Sequence, residues 1–173
     1  MVMKKHKIVV LILLLSFIFT SCSAPKESKV KVSELMDSIS EKIAKDYETT
    51  KEQLGYNRLD IQKEEGKDII STLKLKKDGI EEGIYLSDPT GKTSNRVIIA
   101  KAKKDTDIRE IVKAFEKMQE AQDKEWKEKR KEQYKKVENG IIETNGRYVI
   151  YMVYDDMASL MKIINDKIAK SKK

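Results

Sequence analysis

The chemistry open to this chain is set first by what it lacks. Its 173 residues include one His, His6, and one Cys, Cys22. Beyond Cys22 no Ser-His-Asp or Cys-His system can be assembled. The usual zinc ligands are missing there too, and dithiol redox chemistry is excluded. Carboxylate, Lys, Tyr and Ser/Thr chemistry remains. The pairs Glu64-Glu65, Glu81-Glu82 and Asp155-Asp156 could serve acid/base work or bind Ca²⁺. They lack EF-hand spacing and read as solvated surface or helix caps. A glycosidase would need two carboxylates converging in a cleft. Gly91-Lys92-Thr93 looks like the end of a phosphate-binding loop, but the Gly required five positions earlier is Leu86, and a strand follows where a helix should open. It reads as a turn. No metal, no cofactor and no catalytic residue is expected. Trp126 and Tyr134, eight positions apart on one helical face, form with Gln133 a candidate ligand or partner contact. Core or edge packing is the other reading of the two aromatics.

The N-terminus carries an address. Lys4, Lys5 and Lys7 precede an uncharged run, Ile8 to Thr20. As a helix this run spans about 20 Å, short of the roughly 30 Å bilayer core, and it reads as a secretory signal. Phe19-Thr20-Ser21-Cys22 resembles the lipobox of bacterial lipoproteins, with Phe19 where that pattern has an aliphatic residue. The resemblance implies cleavage before Cys22 and acylation of its thiol, and two acyl chains suffice for stable anchoring. The expected organisation is a signal peptide over 1–21, a lipidated tether over 22–32 and one extracytoplasmic domain over 33–173. Removing residues 1–21 removes His6, three Lys and no acid, taking the net charge from +7 to +4.

Periodicity then places the elements. Ser33 is a plausible N-cap, and Leu35, Ile39, Ile43 and Tyr47 mark an amphipathic helix over about 34–48. Residues 49–79 give only a turn near Leu54-Gly55-Tyr56 and a short helix over about 68–75. Glu81–Leu86 and Arg96–Ala102 read as paired strands around an Asp88–Gly91 turn. Ile108, Ile111, Val112, Phe115, Met118, Gln122 and Trp126 mark a long helix capped by Asp105 or Thr106. Without Pro or Gly before Gly140 it can run over about 107–137, its part beyond Trp126 projecting into solvent. Ile141–Thr144 and Arg147–Tyr154 are strands around an expected type I′ turn at Asn145-Gly146. A last helix, capped by Asp155 or Asp156, runs to about Ala169. The fold class expected is α+β: an antiparallel four-stranded sheet from two ββα units, helices on one face, preceded by the N-terminal amphipathic helix.

Arg96 to Tyr154 resembles a family of Gram-positive bacterial lipoproteins, the domain of unknown function 4358. The carrying residues are Ile99-Ala100-Lys101-Ala102-Lys103, then Gln122 and Trp126, then Glu132-Gln133-Tyr134, then Gly146-Arg147-Tyr148-Val149. The family tends to place Pro where this chain has Lys131, and Lys131 does not oblige a helix to stop. The resemblance implies an envelope lipoprotein and supplies no activity.

Charge points the same way. Charged residues make up 38% of the chain, above the roughly 25% of ordinary domains, but 31 Lys stand against 5 Arg and acids are interspersed throughout. Nucleic-acid readers favour Arg forks and segregated patches, so no nucleic acid is expected. Expected partners are the membrane through the N-terminal lipid, with an envelope protein or anionic wall polymer. The function expected is a membrane-anchored, non-catalytic binding role on the extracytoplasmic face. A carboxylate-dependent hydrolase of cell-wall glycan or peptide is the alternative.

Overall fold

The computed structural model describes residues 27–172. The signal segment and Cys22 lie outside them. Among the described residues five α-helices and five strands follow in chain order: α1 (Val32–Asp46), β1 (Asn57–Asp60), α2 (Lys67–Leu73), β2 (Ile80–Ser87), β3 (Arg96–Ala102), α3 (Ile108–Lys129), α4 (Lys131–Glu138), β4 (Ile141–Asn145), β5 (Tyr148–Val153) and α5 (Met157–Ser171). The strands form one antiparallel sheet in the order β1-β2-β3-β5-β4. This is an α+β fold with an antiparallel sheet, as expected, but with five strands rather than four.

The added strand is Asn57–Asp60, paired to β2 from Asn57↔Ser87 to Asp60↔Ile84. It is polar and half exposed, as an edge strand can be, so it carries no apolar alternation to read. Its exit is fixed by a close approach. The Ile61 N–H donates to the Gly83 carbonyl at 3.0 Å, and a Cβ on Gly83 would meet the Ile61 side chain at 2.3 Å. Only a missing side chain at 83 leaves room for Ile61, which is wholly buried.

Helices cover both faces of the sheet, not one. Alternate strand residues point to opposite sides, and the central strands are apolar on each. Val97, Ile99, Tyr148, Ile150 and Met152 pack with Leu35, Ile39 and Ile43 of α1 and with Leu160, Ile164 and Ile168 of α5. Ile98, Ala100, Val149, Tyr151 and Val153 pack with Leu73 of α2 and with Ile111, Phe115, Met118 and Trp126 of α3.

The long helix does not run on to 137. It breaks at Arg130, whose φ −154° and ψ 119° are extended, and α4 folds back over the β2–β3 connection. The side chains beyond the break explain why. Gln133 Oε1 accepts from the Ser94 N–H at 2.8 Å, and Arg130 donates to the Lys92 carbonyl at 2.9 Å. Lys136 Nζ donates to Asn95 Oδ1 at 2.9 Å and to Asp155 at 2.8 Å. Val137 is wholly buried. Tertiary hydrogen bonds and one apolar anchor thus override a local preference for continued helix.

Smaller departures have local causes. α1 starts at Val32 with Lys31 ahead of it, so Ser33 is inside the helix rather than its cap. In the β4–β5 hairpin Asn145 pairs with Tyr148, which makes Gly146 and Arg147 the turn residues. Of these two, only Gly146 has a positive φ, 58°, the pattern of a type II′ turn with Gly first rather than type I′. Asp156 caps α5, accepting from the Ser159 N–H.

The segment expected as tether is docked where it is described. Ser28, Val30 and Val32 are buried. The Tyr148 hydroxyl donates to the Val30 carbonyl at 2.5 Å, and the Val32 N–H donates to Glu82 at 2.7 Å. Arg147 Nε holds Glu27 at 2.6 Å. Lys101 lies between Glu81 at 2.8 Å and Glu27 at 3.9 Å. Burial works against the Lys101 charge, but Glu81 and the neighbouring acids outweigh it and raise its pKa. Residues Glu27 to Val32 thus pack against the body of the domain.

Candidate ligand site

One cleft carries unspent polarity. It lies between α2, α3 and the sheet, has a volume of about 530 Å³, and is lined by Ile69, Leu73, Tyr85, Arg96, Met118 and Gln122 among others. Arg96 opens β3, on the same face as Ile98. Ile98 pairs with Tyr85 on one side and Tyr151 on the other. Arg96 is thereby diagonal to both tyrosines, within reach of a long side chain. Its guanidinium carbon sits 5.4 Å from the centre of the Tyr85 ring.

The hydrogen-bond ledger of this corner is open. Arg96 Nε, Tyr151 Oη and Asp123 Oδ1 are each shielded from solvent and without a partner among the described residues. Burial pushes the Tyr151 hydroxyl up to about 12. The Arg96 charge works against the shift and the Asp123 charge adds to it. Arg147, also partly buried, is paired with Glu81 at 3.3 Å, and the exposed Arg58 is paired with Asp37 at 2.5 Å. A guanidinium cannot shed its charge, and an unpaired buried donor costs about 1–3 kcal/mol. Arg96 is thus a half-buried fixed cation with no acid of its own.

The residues expected to make contact are placed differently. Trp126 is 4% exposed, and its Nε1 donates to Gln122 Oε1 at 3.0 Å. Gln133 is engaged with Ser94. Tyr134 is half buried against the α3 side of the core. The break at Arg130 separates Trp126 from Tyr134, so the two do not share one helix face. Trp126 and Gln133 hold the fold together. Cys22 lies outside the described residues.

Other candidates are absorbed locally. Gly91-Lys92-Thr93 is a turn closed by Asp88, whose Oδ1 accepts from the Thr90 N–H at 2.8 Å and whose Oδ2 accepts from the Thr93 N–H at 3.1 Å. Burial would raise the Asp88 pKa, but these bonds win and lower it. Asp78, Asp107 and Glu110 line a second hollow of about 570 Å³ with five lysines. Asp107 accepts from the Lys104 N–H at 3.1 Å. Lys113 beside Glu110 holds its carboxyl below the usual range, the opposite of what a general acid needs. Among the described residues no three acids converge as a metal site, and no helix is long and apolar enough to cross a membrane.

Sheet, helical layers and cleft together define an α+β domain with helices on both faces of an antiparallel sheet and a cleft with Arg96 in its wall. The chain belongs to the family described as domain of unknown function DUF4358, which matches residues 55–154. The matched span runs from just before β1 to just after β5. It contains Tyr85, Arg96, Asp123 and Tyr151. No curated protein and no solved structure matches the chain.

Proposed function

We propose that this chain is a lipid-anchored extracytoplasmic protein of the cell envelope that binds its ligand in the Arg96 cleft without turning it over. The observation that carries the binding reading is the buried, unpartnered Nε of Arg96 beside a hollow of about 530 Å³. A cation held half buried without an acid costs stability, and a ligand acceptor would offset that cost. Ligand sites are typically concave, largely apolar and furnished with a few polar groups, which describes Tyr85, Leu73 and Met118 around Arg96. The anchor rests on Cys22 behind a short apolar run. The lipid places the domain on the outer face of the cell membrane, next to envelope proteins and anionic wall polymers.

Two experiments test the parts. Cells fed labelled palmitate should label the wild-type protein and not Cys22→Ser; equal labelling of both refutes the anchor. Purified protein incubated with cell-wall material should release no soluble glycan or peptide fragments. Release that depends on Asp78, Asp107 or Glu110 would instead favour the hydrolase.

A further inference from the structure

Taking the cleft as the binding site, we propose that it captures a free carboxylate on Arg96, and that the ligand is an apolar amino acid or a short peptide with its C-terminus free. The guanidinium carbon lies over the Tyr85 ring, 5.4 Å from its centre, and the Nε–H has no acceptor among the described residues. The N–H edge of a guanidinium matches the planar fork of a carboxylate. Tyr151 Oη and Asp123 Oδ1 are also without partners among the described residues but lie behind the cleft wall. On the wall itself Arg96 is a donor and Glu120 an acceptor. A carboxylate with a nearby N–H meets both; a simple inorganic anion meets only the first.

Charge narrows the class. Lys74, Arg96 and Lys117 line the cleft against Glu120, with Asp123 behind them. The balance is one net positive charge, which a phosphate dianion would exceed; a zwitterionic amino acid or peptide adds no net charge, its carboxylate facing Arg96 and its ammonium facing Glu120. The walls narrow it further. Ile69, Leu73 and Met118 offer apolar surface beside Arg96, suited to an aliphatic side chain next to the carboxylate. The volume is within the range of about 300–1,000 Å³ of small-ligand sites and leaves room beyond one carboxylate group.

The test is calorimetric titration of the full chain in detergent with leucine, alanyl-alanine, the C-terminal amide of alanyl-alanine, acetate and inorganic phosphate. Leucine or alanyl-alanine should bind, and which is tighter separates the free amino acid from the peptide. The amide should bind roughly 10- to 150-fold more weakly, the worth of one hydrogen-bonded charged group. Arg96→Gln should weaken the carboxylate ligand by a similar factor, and Lys113→Gln, away from the cleft, should not. Equal binding of acid and amide, or binding of phosphate alone, overturns the proposal. So does no heat from any carboxylate probe at about 10 mM, the weak end of useful affinity. The acid–amide comparison uses wild type alone and stands if Arg96→Gln does not fold. Partner capture at the cleft in cells, with every carboxylate failing in the calorimeter, would sink the ligand class and leave the binding reading intact.

Discussion

Replacing Arg96 with Met should make the protein more stable, not less. Met keeps much of the length and apolar volume of the Arg stem and removes a fixed charge that has no acid partner. Two contributions oppose each other. The stacked contact with Tyr85 at 5.4 Å is worth about 0.5–1 kcal/mol, and it is lost. The shielded, unpartnered Nε costs about 1–3 kcal/mol, and that cost disappears. The balance runs from about 0 to 2.5 kcal/mol of gain, centred near 1 kcal/mol. For a chain of this size 1 kcal/mol moves Tm by about 2–4 °C, so Arg96→Met should melt several degrees above wild type. Urea unfolding should show a higher midpoint at unchanged slope. A carboxylate ligand that raises the Tm of wild type should leave the variant where it was. A loss of about 1 kcal/mol or more would refute the reasoning. It would mean that Arg96 is repaid within the free protein and is a structural residue. Gain of stability on removing a residue is the signature of a site kept for function.

Two other perturbations probe the frame around the cleft. Tyr151 holds its proton up to about pH 12, chiefly through burial, whereas an unfolded tyrosine titrates near 10. The unfolded state therefore sheds protons first, and stability is complete below about pH 10 and falls between about pH 10 and 12, by about 2–3 kcal/mol. Burial shifts Tyr56 and Tyr154 in the same direction. Far-UV circular dichroism against pH, alongside tyrosinate absorbance, checks this; an unchanged alkaline midpoint in Tyr151→Phe would count against it. Gln133→Ala should cost about 1–3 kcal/mol, because the buried Ser94 N–H loses its acceptor. Hydrogen exchange should then quicken in α4 while β5 stays protected; uniform exchange would show that α4 is held by other means.

How much of this was legible depends on the range of the interaction. Arg96–Ala102 reads as a strand at sight because Val97 to Ala100 is a short apolar run beside a turn. The same run is apolar on both faces, which already asks for helices on both sides of the sheet. The polar edge strand Asn57–Asp60 has no pattern of its own; it exists because Ile61 fits over Gly83. The break at Arg130 is illegible for a related reason. Nothing local stops the helix there, and the stop comes from Gln133, Lys136 and Val137 finding partners far along the chain. The turn at Gly146-Arg147 differs from the expected one by a single residue, a difference set by strand register. The cleft is least visible of all. Tyr85, Arg96 and Tyr151 sit on three strands and meet only through the β2–β3 and β3–β5 pairings. One signal was present: alternation puts Arg96 on the face of Ile98 and Ala100, an apolar side where a charge needs a reason. Trp126 and Gln133 read as contact candidates, whereas their side chains hydrogen-bond inside the fold to Gln122 and Ser94.

The most direct test of ligand capture at Arg96 is site-specific photocrosslinking in living cells. A photoreactive side chain at Lys117, on the rim of the cleft, is compared with one at Glu41, on α1 across the sheet. Adducts on the envelope face should form from position 117, be absent from position 41, and vanish when Arg96→Gln is added. Adducts that form equally from both positions, or survive Arg96→Gln undiminished, would contradict capture in the cleft.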